Sequence, residues 1–257
     1  MLHHEVAGDG PAVVLLHSTV CDSRMWDAEF AALAERCQVL RCDLRGFGRS
    51  PLPSGDWSSV DDLRVLLDEA GMERPALVGL SGGAAVALDF ALEEAERVRG
   101  LVLAAPAISG LPWSEEVQRF GAQEDELVEA GDLDAAVELN LRMWVDGPHR
   151  GRDAVDPAVR AKVGEMQRRA FEVQLGAEPG EHRRPEPPAA ERLEEVSAPA
   201  LVIVGDADVP DVLERAELLG QRIPNARKVV LPGVAHMVNL ERPEEFLRLV
   251  RDFLDGL

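Results

Sequence analysis

The sequence PALVGLSGGAAVALDFAL, residues 75–92, joins a short apolar run to a longer one across a turn rich in glycine. The first run, ALV, is bounded by a proline and a glycine, as expected of a strand buried on both faces of a sheet. From Gly82 onward apolar residues occupy nearly every position, which indicates a helix packed behind that sheet. Ser81 stands between the two runs, so we expect it on a sharp strand-to-helix turn.

Residues 79–83 read GLSGG and match the G-x-S-x-G motif of a nucleophile elbow. In such an elbow the turn raises a serine hydroxyl above the carboxyl end of a sheet. The glycines have a steric role, because side chains at Gly79 and Gly83 would collide where the strand and the helix cross. Ser81 is then expected in a strained backbone. A glycine-rich turn with an incidental serine is disfavoured, because both flanks fit the motif.

The composition limits the partners of the protein. The chain has 257 residues and a formal net charge of -20, which argues against nucleic acid and anionic membrane surfaces as partners. No apolar run approaches the ~18 residues that would span a bilayer, and the start MLHHEVAGDG lacks a signal-peptide core. We therefore expect a cytoplasmic protein. An acidic surface also repels anionic substrates, so any that bind need a local arginine.

Neither the cysteines nor the histidines suggest a metal site. Cys21, Cys37 and Cys42 form no CxxC pair and are interpreted as reduced, structural thiols. His182 and the pair at positions 3 and 4 are expected to be exposed. We therefore predict no metal site.

Apolar runs alternate with helical stripes along most of the chain, which predicts an α/β fold. Its sheet should be mostly parallel, with helices on both faces. A further run at 2–6 precedes the turn signal GDGP, which predicts an edge hairpin with the next run. The alternating strand-like runs are 12–16, 37–42, 76–78, 98–104, 200–204 and 228–231.

The alternation stops between residues 109 and 196. This part of the chain contains helical, charge-rich segments and the proline-rich RRPEPP at 183–188, without a convincing strand. Since the strand pattern resumes after it, we interpret residues 1–108 and 197–257 as one core. Residues 109–196 are interpreted as a helical cap, or lid, inserted into that core.

A reactive serine needs a base within hydrogen-bond reach and a third group that orients the base. Of the six histidines, only His236 is expected on a loop at the carboxyl end of a late strand, so it is the candidate base. The acid should follow the preceding strand, where the sequence GDAD offers Asp206 and Asp208. Asp208 is favoured because it lies further into the loop. Asp206 remains the alternative, since it could instead brace the turn.

An oxyanion hole requires backbone N–H groups aimed at the charge that develops on a carbonyl oxygen. Gly82, directly after the serine, is one candidate donor. The loop HSTV after the run 12–16 supplies the other, with Thr19 as the donor. His17 in the same loop is expected to be a structural brace.

Ser81 in GLSGG, Asp208 in GDAD and His236 in GVAH, together with LLHSTVCDSRMWD, DLRGFGRS and AHMVNLERPEEF, resemble the α/β-hydrolase superfamily. The resemblance extends from about residue 11 to the end. Within the superfamily the chain is similar to small ester and lactone hydrolases such as 3-oxoadipate enol-lactonases. This implies an α/β-hydrolase fold with a helical cap, a catalytic triad of these three residues and no cofactor. Ser18 departs from the glycine usual at its position, beside the Thr19 donor.

The predicted activity is hydrolysis of a carboxylic ester or lactone of a small molecule through an acyl-enzyme, by a monomer or homodimer. Epoxide hydrolases and haloalkane dehalogenases of this fold have aspartate in place of the serine, and the chain has no tyrosine, so both are disfavoured. C–C bond hydrolases of this fold usually have tryptophan after the last histidine. Met237 stands there instead, which weakens the case for that activity. That enzyme class, a cofactor-free haloperoxidase and a non-catalytic binding scaffold remain alternatives.

One helical stripe of the cap is a candidate wall of the substrate pocket. Asn140 is its single polar member, and we expect Asn140 and Trp144 to contact substrate. Asn140 could instead bond to a neighbouring backbone group. Trp113, near the start of the cap, is a further candidate. The stripe consists of Leu133, Ala136, Val137, Asn140, Leu141 and Trp144.

Overall fold

The structure, a computed structural model, describes residues 2–178 and 180–257. Its sheet has the strand order β1-β3-β2-β4-β5-β6-β7, in which β1 is antiparallel to β3 and every other neighbouring pair is parallel. The predicted mostly parallel α/β sheet is confirmed. The strands are β1 (His4–Ala7), β2 (Ala12–Leu16), β3 (Gln38–Cys42), β4 (Ala76–Leu80), β5 (Gly100–Ala104), β6 (Ala200–Gly205) and β7 (Ala226–Leu231).

Helices follow most of the strands and cover both faces of the sheet. Within the described residues, no helix combines the length and apolar character needed to cross a bilayer. A π-helical turn (Leu141–Asp146) continues the fifth helix. The α-helices are α1 (Asp27–Leu33), α2 (Ser59–Glu69), α3 (Gly82–Glu93), α4 (Glu115–Glu129), α5 (Leu133–Asn140), α6 (Pro157–Gln174), α7 (Ala189–Arg192), α8 (Pro210–Arg222), α9 (Val238–Glu241) and α10 (Pro243–Leu254).

The core is centred on β4 and α3. Every residue of β4, β5 and β6 is buried, as the continuous apolar runs predict for strands covered on both faces. Helix α3 packs on β2, β4 and β5 and is buried along most of its length. The turn between β4 and α3 is therefore fixed by packed structure on both sides.

The glycines of that turn have the steric role that the motif predicts. A Cβ added at Gly79 would lie 2.3 Å from the carbonyl oxygen of Gly83, where the helix crosses its own strand. A Cβ added at Gly83 would lie 2.2 Å from the carbonyl oxygen of Leu16. The second clash involves β2, so Gly83 also sets the distance between α3 and the neighbouring strand.

The predicted hairpin at the amino-terminal edge is wrong. β1 pairs with β3, with His4 opposite Cys42, while β2 lies on the other side of β3. The glycine after β1 serves a different contact. Gly8 has a φ of 76°, and a Cβ there would lie 2.2 Å from the carbonyl oxygen of Cys37. The turn is thus shaped by the chain that leads into β3.

The chain between β5 and β6 forms helices α4 to α7 and, in its described residues, adds no strand to the sheet. Helix α5 contacts both α4 and α6. Arg160 of α6 donates to Glu138 at 2.7 Å and to Asp146 at 2.9 Å, which ties α6 to α5 and to the π-helical turn. Residues of α4, α5 and α6 line the cavity that Ser81 also lines, at the carboxyl end of the sheet.

Candidate active site

His236 and Asp208 meet at the carboxyl end of the sheet, on the loops that follow β7 and β6. The Nδ1 of His236 donates to Asp208 Oδ2 at 2.8 Å, and both side chains are buried. The other oxygen of Asp208 accepts from the N–H of Val209 at 2.8 Å. With Nδ1 held in this bond, Nε2 is the ring nitrogen that can accept a proton in the neutral imidazole. The imidazole is thus oriented to act as a base.

Asp206, the alternative acid, has a different partner. Its Oδ1 accepts from the backbone N–H of Gly233 at 2.6 Å, and the residue is exposed. This bond ties the loop after β6 to the turn after β7. The structure therefore brings Asp208, rather than Asp206, against His236.

Ser81 has the strained backbone that the elbow predicts, with φ at 56° and ψ at -114°. Its N–H donates to the carbonyl of Ala104 at 2.9 Å, and its carbonyl accepts from Ala84 at 3.0 Å and Ala107 at 3.2 Å. These bonds to β5 and α3 hold the turn in place. In the described residues the Ser81 hydroxyl forms no hydrogen bond, and Ser81 and His236 line the same cavity. Hydrogen bonds to a catalytic hydroxyl often shorten only when substrate binds.

Two backbone N–H groups lie beside Ser81 with no hydrogen-bond partner in the part of the chain that the structure describes. Gly82 supplies the first N–H of α3, a position without an intrahelical acceptor. Thr19 follows β2, the strand next to β4. The two residues touch, because a Cβ added at Gly82 would lie 2.5 Å from Thr19 Cγ2. The predicted donors of the oxyanion hole are therefore adjacent.

His17 braces the loop that carries Thr19, as predicted. Its Nδ1 donates to the carbonyl of Ser18 at 2.8 Å, and its Nε2 accepts from the N–H of Leu44 at 2.8 Å. Burial lowers the pKa of His17, which keeps the ring neutral and able to do both. The ring thereby links the loops after β2 and β3. The Ser18 hydroxyl accepts from Val20 N–H at 3.4 Å and leaves Thr19 N–H unused.

Ser81, His236, Gly82 and Thr19 all line one cavity of ≈ 1020 Å³ beneath α4 to α6. Its size lies at the upper end of the usual range for small-molecule sites. One wall of the cavity is mostly aromatic. The Trp144 ring lies 4.7 Å from the His236 ring, measured between centroids. Trp113 and Phe120 pack edge-on against Trp144 and complete that wall.

Asn140 also lines the cavity, and its amide nitrogen already has protein partners. The nitrogen donates to the carbonyl of Ala136 at 3.0 Å and to the carboxylate of Glu124. Burial raises the pKa of Glu124, which lines the cavity beside it. The bond to Ala136 is the contact with a neighbouring backbone group that the sequence analysis gave as the alternative role of Asn140. Trp144, Asn140 and Trp113 thus share the cavity with Ser81, and Asn140 does so with its donors occupied.

The expectation that His182 is exposed is wrong. Its ring stacks on Trp57 with centroids 3.9 Å apart and planes at 4°, and its Nε2 lies 3.1 Å from the Ser59 hydroxyl. Burial, together with nearby Arg184, lowers the pKa of His182. The cavity lining includes His182 and its three neighbours Trp57, Ser59 and Arg184. Trp57 and His182 are far apart in the chain, and no local pattern predicts that they meet.

Sequence reasoning also missed Gln167 on α6, which is buried and lines the cavity together with Phe171 and Gln174. These residues recur at positions i, i+4 and i+7, which places them on one helix face. The same periodicity that singled out Asn140 on its helix would have identified this face. The signal in the sequence is a polar residue, Gln167, among the apolar residues of the buried face of α6.

Arg150 connects the segment after Trp144 to the loop of the candidate base. Its guanidinium donates to the carbonyls of Asp146 at 2.6 Å and Gly233 at 2.8 Å, and to Glu241 at 2.7 Å. Glu241 in turn accepts from the N–H of Ala235 at 2.9 Å. Ala235, the residue before His236, is therefore held by the ion pair of Arg150 and Glu241. Arg150 in turn is bonded to the segment that follows Trp144.

Residues that could hold a metal are not clustered here. The described residues contain no group of three or more His, Cys, Asp and Glu side chains with metal-binding geometry. The cysteines are free, and burial raises the pKa of Cys21 and Cys42. Both thiols are thus disfavoured as thiolate nucleophiles or ligands.

A mostly parallel sheet, a serine on a strained strand-to-helix turn and a paired histidine and aspartate on two later loops define an α/β-hydrolase. The family model described as the alpha/beta hydrolase family matches residues 13–249, and the chain belongs to that family. Among its relatives, the pimeloyl-[acyl-carrier protein] methyl ester esterase of Aeromonas hydrophila is 28% identical over 253 residues, covering 96% of each chain.

Two enol-lactonases are also similar to this chain. The 3-oxoadipate enol-lactonase 1 of Acinetobacter baylyi is 25% identical over 252 residues, which cover 97% of this chain and 90% of that protein. The crystal structure of the enol-lactonase from Burkholderia xenovorans LB400 matches with a TM-score of 0.79 at 26% identity, covering 99% of this chain and 96% of that one. The similarity therefore includes helices α4 to α7 as well as the sheet.

Proposed function

We propose that this protein is a serine hydrolase that cleaves a carboxylic ester or lactone of a small molecule through an acyl-enzyme. One observation carries the proposal. Ser81, on a strained elbow, lines the same cavity as His236, whose Nδ1 is held at 2.8 Å by buried Asp208. The related esterase and enol-lactonases act, by their names, on ester and lactone bonds, which supports the same bond class here.

The reaction begins when Ser81 Oγ attacks the carbonyl carbon of the substrate. His236 Nε2 accepts the hydroxyl proton, and the carboxylate of Asp208 stabilises the imidazolium that results. The carbonyl oxygen gains the negative charge, which the N–H groups of Gly82 and Thr19 accept as hydrogen bonds. Each such donor contributes about 3 kcal/mol to the transition state in comparable sites.

The tetrahedral intermediate collapses when His236 returns the proton to the leaving alkoxide, which departs as an alcohol. In a lactone the alkoxide remains tethered to the acyl group. Water then enters, gives a proton to the same imidazole and attacks the acyl-enzyme carbonyl. Collapse of the second intermediate releases the acid and restores the Ser81 hydroxyl, so one base serves both halves of the reaction.

Residues 109–196 act in this proposal as a cap that closes the site from above. Trp144 and Trp113, which pack against each other over the cavity, contact the substrate. Asn140 shapes the wall through its bonds to Glu124 and Ala136. The lining is rich in apolar and aromatic side chains, which suits the carbon skeleton of a small ester and excludes water from the acyl-enzyme.

The decisive variant is Ser81→Ala, assayed with p-nitrophenyl butyrate. We expect kcat to fall by about 10⁴-fold or more, since removal of the nucleophile of such a triad has effects of this order. Ser59→Ala is the matched control, because Ser59 lines the same cavity without standing on the elbow. A fluorophosphonate should label the wild type and Ser59→Ala on residue 81 and should leave Ser81→Ala unlabelled.

Two outcomes would contradict the proposal. Turnover by Ser81→Ala equal to that of the wild type would exclude the serine as the nucleophile. Absence of fluorophosphonate labelling in a folded wild type would favour a binding scaffold, in which the same cavity holds a small molecule without acylation.

A further inference from the structure

Glu124 on α4 is, among the described residues, the one carboxylate that lines the cavity. The side chain is half-buried, and its Oε2 accepts from the amide nitrogen of Asn140. Its Oε1 accepts no hydrogen bond from the described residues and retains accessible surface. By contrast, the Oε1 of Gln167 is also unpaired there but is sealed from solvent. Glu124 is therefore the acidic group of the cavity that a bound molecule can reach.

The surroundings of Glu124 do not compensate its charge. Burial raises the pKa of Glu124, the Asn140 hydrogen bond opposes that rise, and the neighbouring carboxylate of Asp125 adds to it. Within the part of the chain that the structure describes, no cation lies close enough to lower this pKa. Carboxylates withdrawn from water are usually paired, because removal of an unpaired charge from water is costly. An unpaired carboxylate on a cavity wall thus points to a ligand that brings the positive charge.

The arginines around the cavity have other partners or positions. Arg45 is paired with a carboxylate of α2 at 2.6 Å. The guanidinium of Arg215 lies 3.8 Å from the centre of the Trp113 ring and is paired with Asp211 at 3.5 Å. Arg184 is exposed at the mouth. The carboxylate on α4 therefore remains free to bind a cation from outside the protein.

Aromatic rings lie one helical turn from this carboxylate. Phe120 precedes Glu124 by four residues, and Trp144 follows Asn140 by four, so the members of each pair share a helix face. The two faces meet twice, because Phe120 packs edge-on against Trp144 with centroids 5.7 Å apart and Asn140 donates to Glu124. The Trp144 ring in turn lies 4.7 Å from the His236 ring. The carboxylate is thus about one turn, ~5.4 Å of helix, from the aromatic wall beside the candidate base.

We propose that Glu124 is a specificity-determining residue that binds a cationic ammonium group of the substrate. The preferred substrates are then esters or lactones that carry such a group in the acyl or the alcohol part. An ammonium ion is attracted to the faces of aromatic rings as well as to a carboxylate, so Phe120 and Trp144 favour the same group. The net charge of -20 attracts cations at long range. This inference rests on the proposed hydrolase function.

The test compares esters that carry a trimethylammonium group with neutral esters that have a tert-butyl group in its place. The two groups have nearly the same shape, and a quaternary ammonium has no N–H, so the comparison reports charge alone. The acyl pairs are p-nitrophenyl 4-(trimethylammonio)butanoate with p-nitrophenyl 5,5-dimethylhexanoate, and p-nitrophenyl 6-(trimethylammonio)hexanoate with p-nitrophenyl 7,7-dimethyloctanoate. The alcohol pair is 2-(trimethylammonio)ethyl butanoate with 3,3-dimethylbutyl butanoate.

The expected result is a preference for the cationic ester that survives added salt. In about 0.3 M NaCl, which screens the attraction of distant charges, kcat/KM for the cationic ester of the best pair should exceed that for its neutral match by about 10-fold or more. A wild type that prefers the neutral ester in every pair would overturn the inference.

The variant Glu124→Gln should lower this ratio by about 10-fold, because the glutamine oxygen still accepts from Asn140 while the charge is lost. Asp125→Asn is the matched control. It removes the same charge from the adjacent, exposed position and should keep the ratio within about 2-fold. Both esters of a pair are hydrolysed by the same folded enzyme, so a loss of folded protein cancels in the ratio. Equal ratios in the wild type and Glu124→Gln would overturn the inference.

Binding of hexyltrimethylammonium gives a second readout that does not depend on hydrolysis. In isothermal titration calorimetry, its Kd should be about 10-fold higher for Glu124→Gln than for the wild type and about equal for Asp125→Asn. Equal Kd values for the wild type and Glu124→Gln would also overturn the inference. If the wild type hydrolyses no ester of the series but binds this cation through Glu124, the proposed function fails and the cation site stands.

Discussion

Asp206 and Asp208 are two positions apart on one loop, yet their carboxylates have different partners. Asp208 is buried against His236, whereas exposed Asp206 holds the N–H of Gly233. One side chain thus faces the candidate base, and the other faces the turn after β7. Sequence order favours Asp208, and the physical reason is that its buried carboxylate is the one bonded to His236.

These partners predict unequal effects for the same substitution. Asp208→Asn should lower kcat by about 10³- to 10⁴-fold, because the amide cannot stabilise the imidazolium and favours the wrong tautomer of His236. Asp206→Asn should retain activity within about 3-fold, because its amide oxygen still accepts from Gly233. Steady-state kinetics with p-nitrophenyl butyrate measures both. Comparable losses in the two variants would argue against Asp208 as the acid of the proposed triad.

At the level of single residues, the sequence predicts what local motifs encode. Ser81, Gly82 and the His17 brace follow from short patterns whose geometry depends on the adjacent strand. His182 could not be placed in the same way, and periodicity on α6 groups Gln167 with a helix face without showing what that face covers. The stack of His182 on Trp57 and the unpaired state of Gln167 depend on how the helical segment folds back over the sheet.

At the level of elements, the turn signal after β1 shows where local patterns stop being informative. Gly8 and Gly10 suggest a hairpin because glycine readily adopts the positive φ of a tight turn. The structure does have positive φ at both positions, 76° and 120°. The turn exists, but β1 pairs with β3 instead of β2. Strand order depends on which faces are buried together in the whole sheet, and the sequence of one turn does not contain that information.

The crossing of α3 and the sheet makes Gly83 a sensitive position. Gly83→Ala should destabilise the protein by about 2 kcal/mol or more, because its Cβ would overlap the backbone of Leu16 and neither element can move freely. Gly121→Ala in α4 is the control, since a Cβ there meets no atom within 4 Å. That variant should gain about 0.5–1 kcal/mol from helix propensity. Urea unfolding of both variants tests the contrast, and equal effects would contradict it.

Ser109 and Asp89 join helix α3 to both ends of the helical segment. The Ser109 hydroxyl donates to the buried carboxylate of Asp89 and accepts from Ala189 N–H at 3.2 Å. The Ser109 carbonyl accepts from Ala190 N–H at 3.0 Å. Burial raises the pKa of Asp89 from 3.8 to about 6, partly opposed by the Ser109 hydrogen bond. Ionised Asp89 is therefore unfavourable in the folded state.

This shift predicts how stability depends on pH. Between pH 4 and 6 the folded state binds more protons at Asp89 than the unfolded state does, so this group makes stability fall as pH rises. The loss is complete above the folded pKa and reaches at most about 3 kcal/mol. Asp89→Asn keeps the Ser109 hydrogen bond and removes the titration. The stability of Asp89→Asn relative to the wild type should increase from pH 4 to 7 in urea unfolding; a constant difference would contradict the assignment.

At the scale of the whole molecule, the net charge is -20, yet an exposed arginine lies at the mouth of the cavity. Arg184 lines the cavity and is exposed, and among the described residues it forms no ion pair with a carboxylate. Arg45 also lines it, but is paired with Asp62 at 2.6 Å. An anionic substrate would thus be repelled at long range and attracted only when it reaches the mouth.

The balance between these two effects can be measured through salt. The Debye length falls from about 30 Å at 0.01 M to about 10 Å at 0.1 M salt, so added salt screens the distant charge more than a contact at the mouth. For p-nitrophenyl glutarate, which is anionic, kcat/KM should rise about 2- to 10-fold between 0.01 and 0.3 M NaCl. For p-nitrophenyl pentanoate, its neutral match in length, kcat/KM should change by less than about 1.5-fold. A fall with salt for the glutarate ester alone would mean that Arg184 outweighs the net charge, and Arg184→Gln should then abolish that fall.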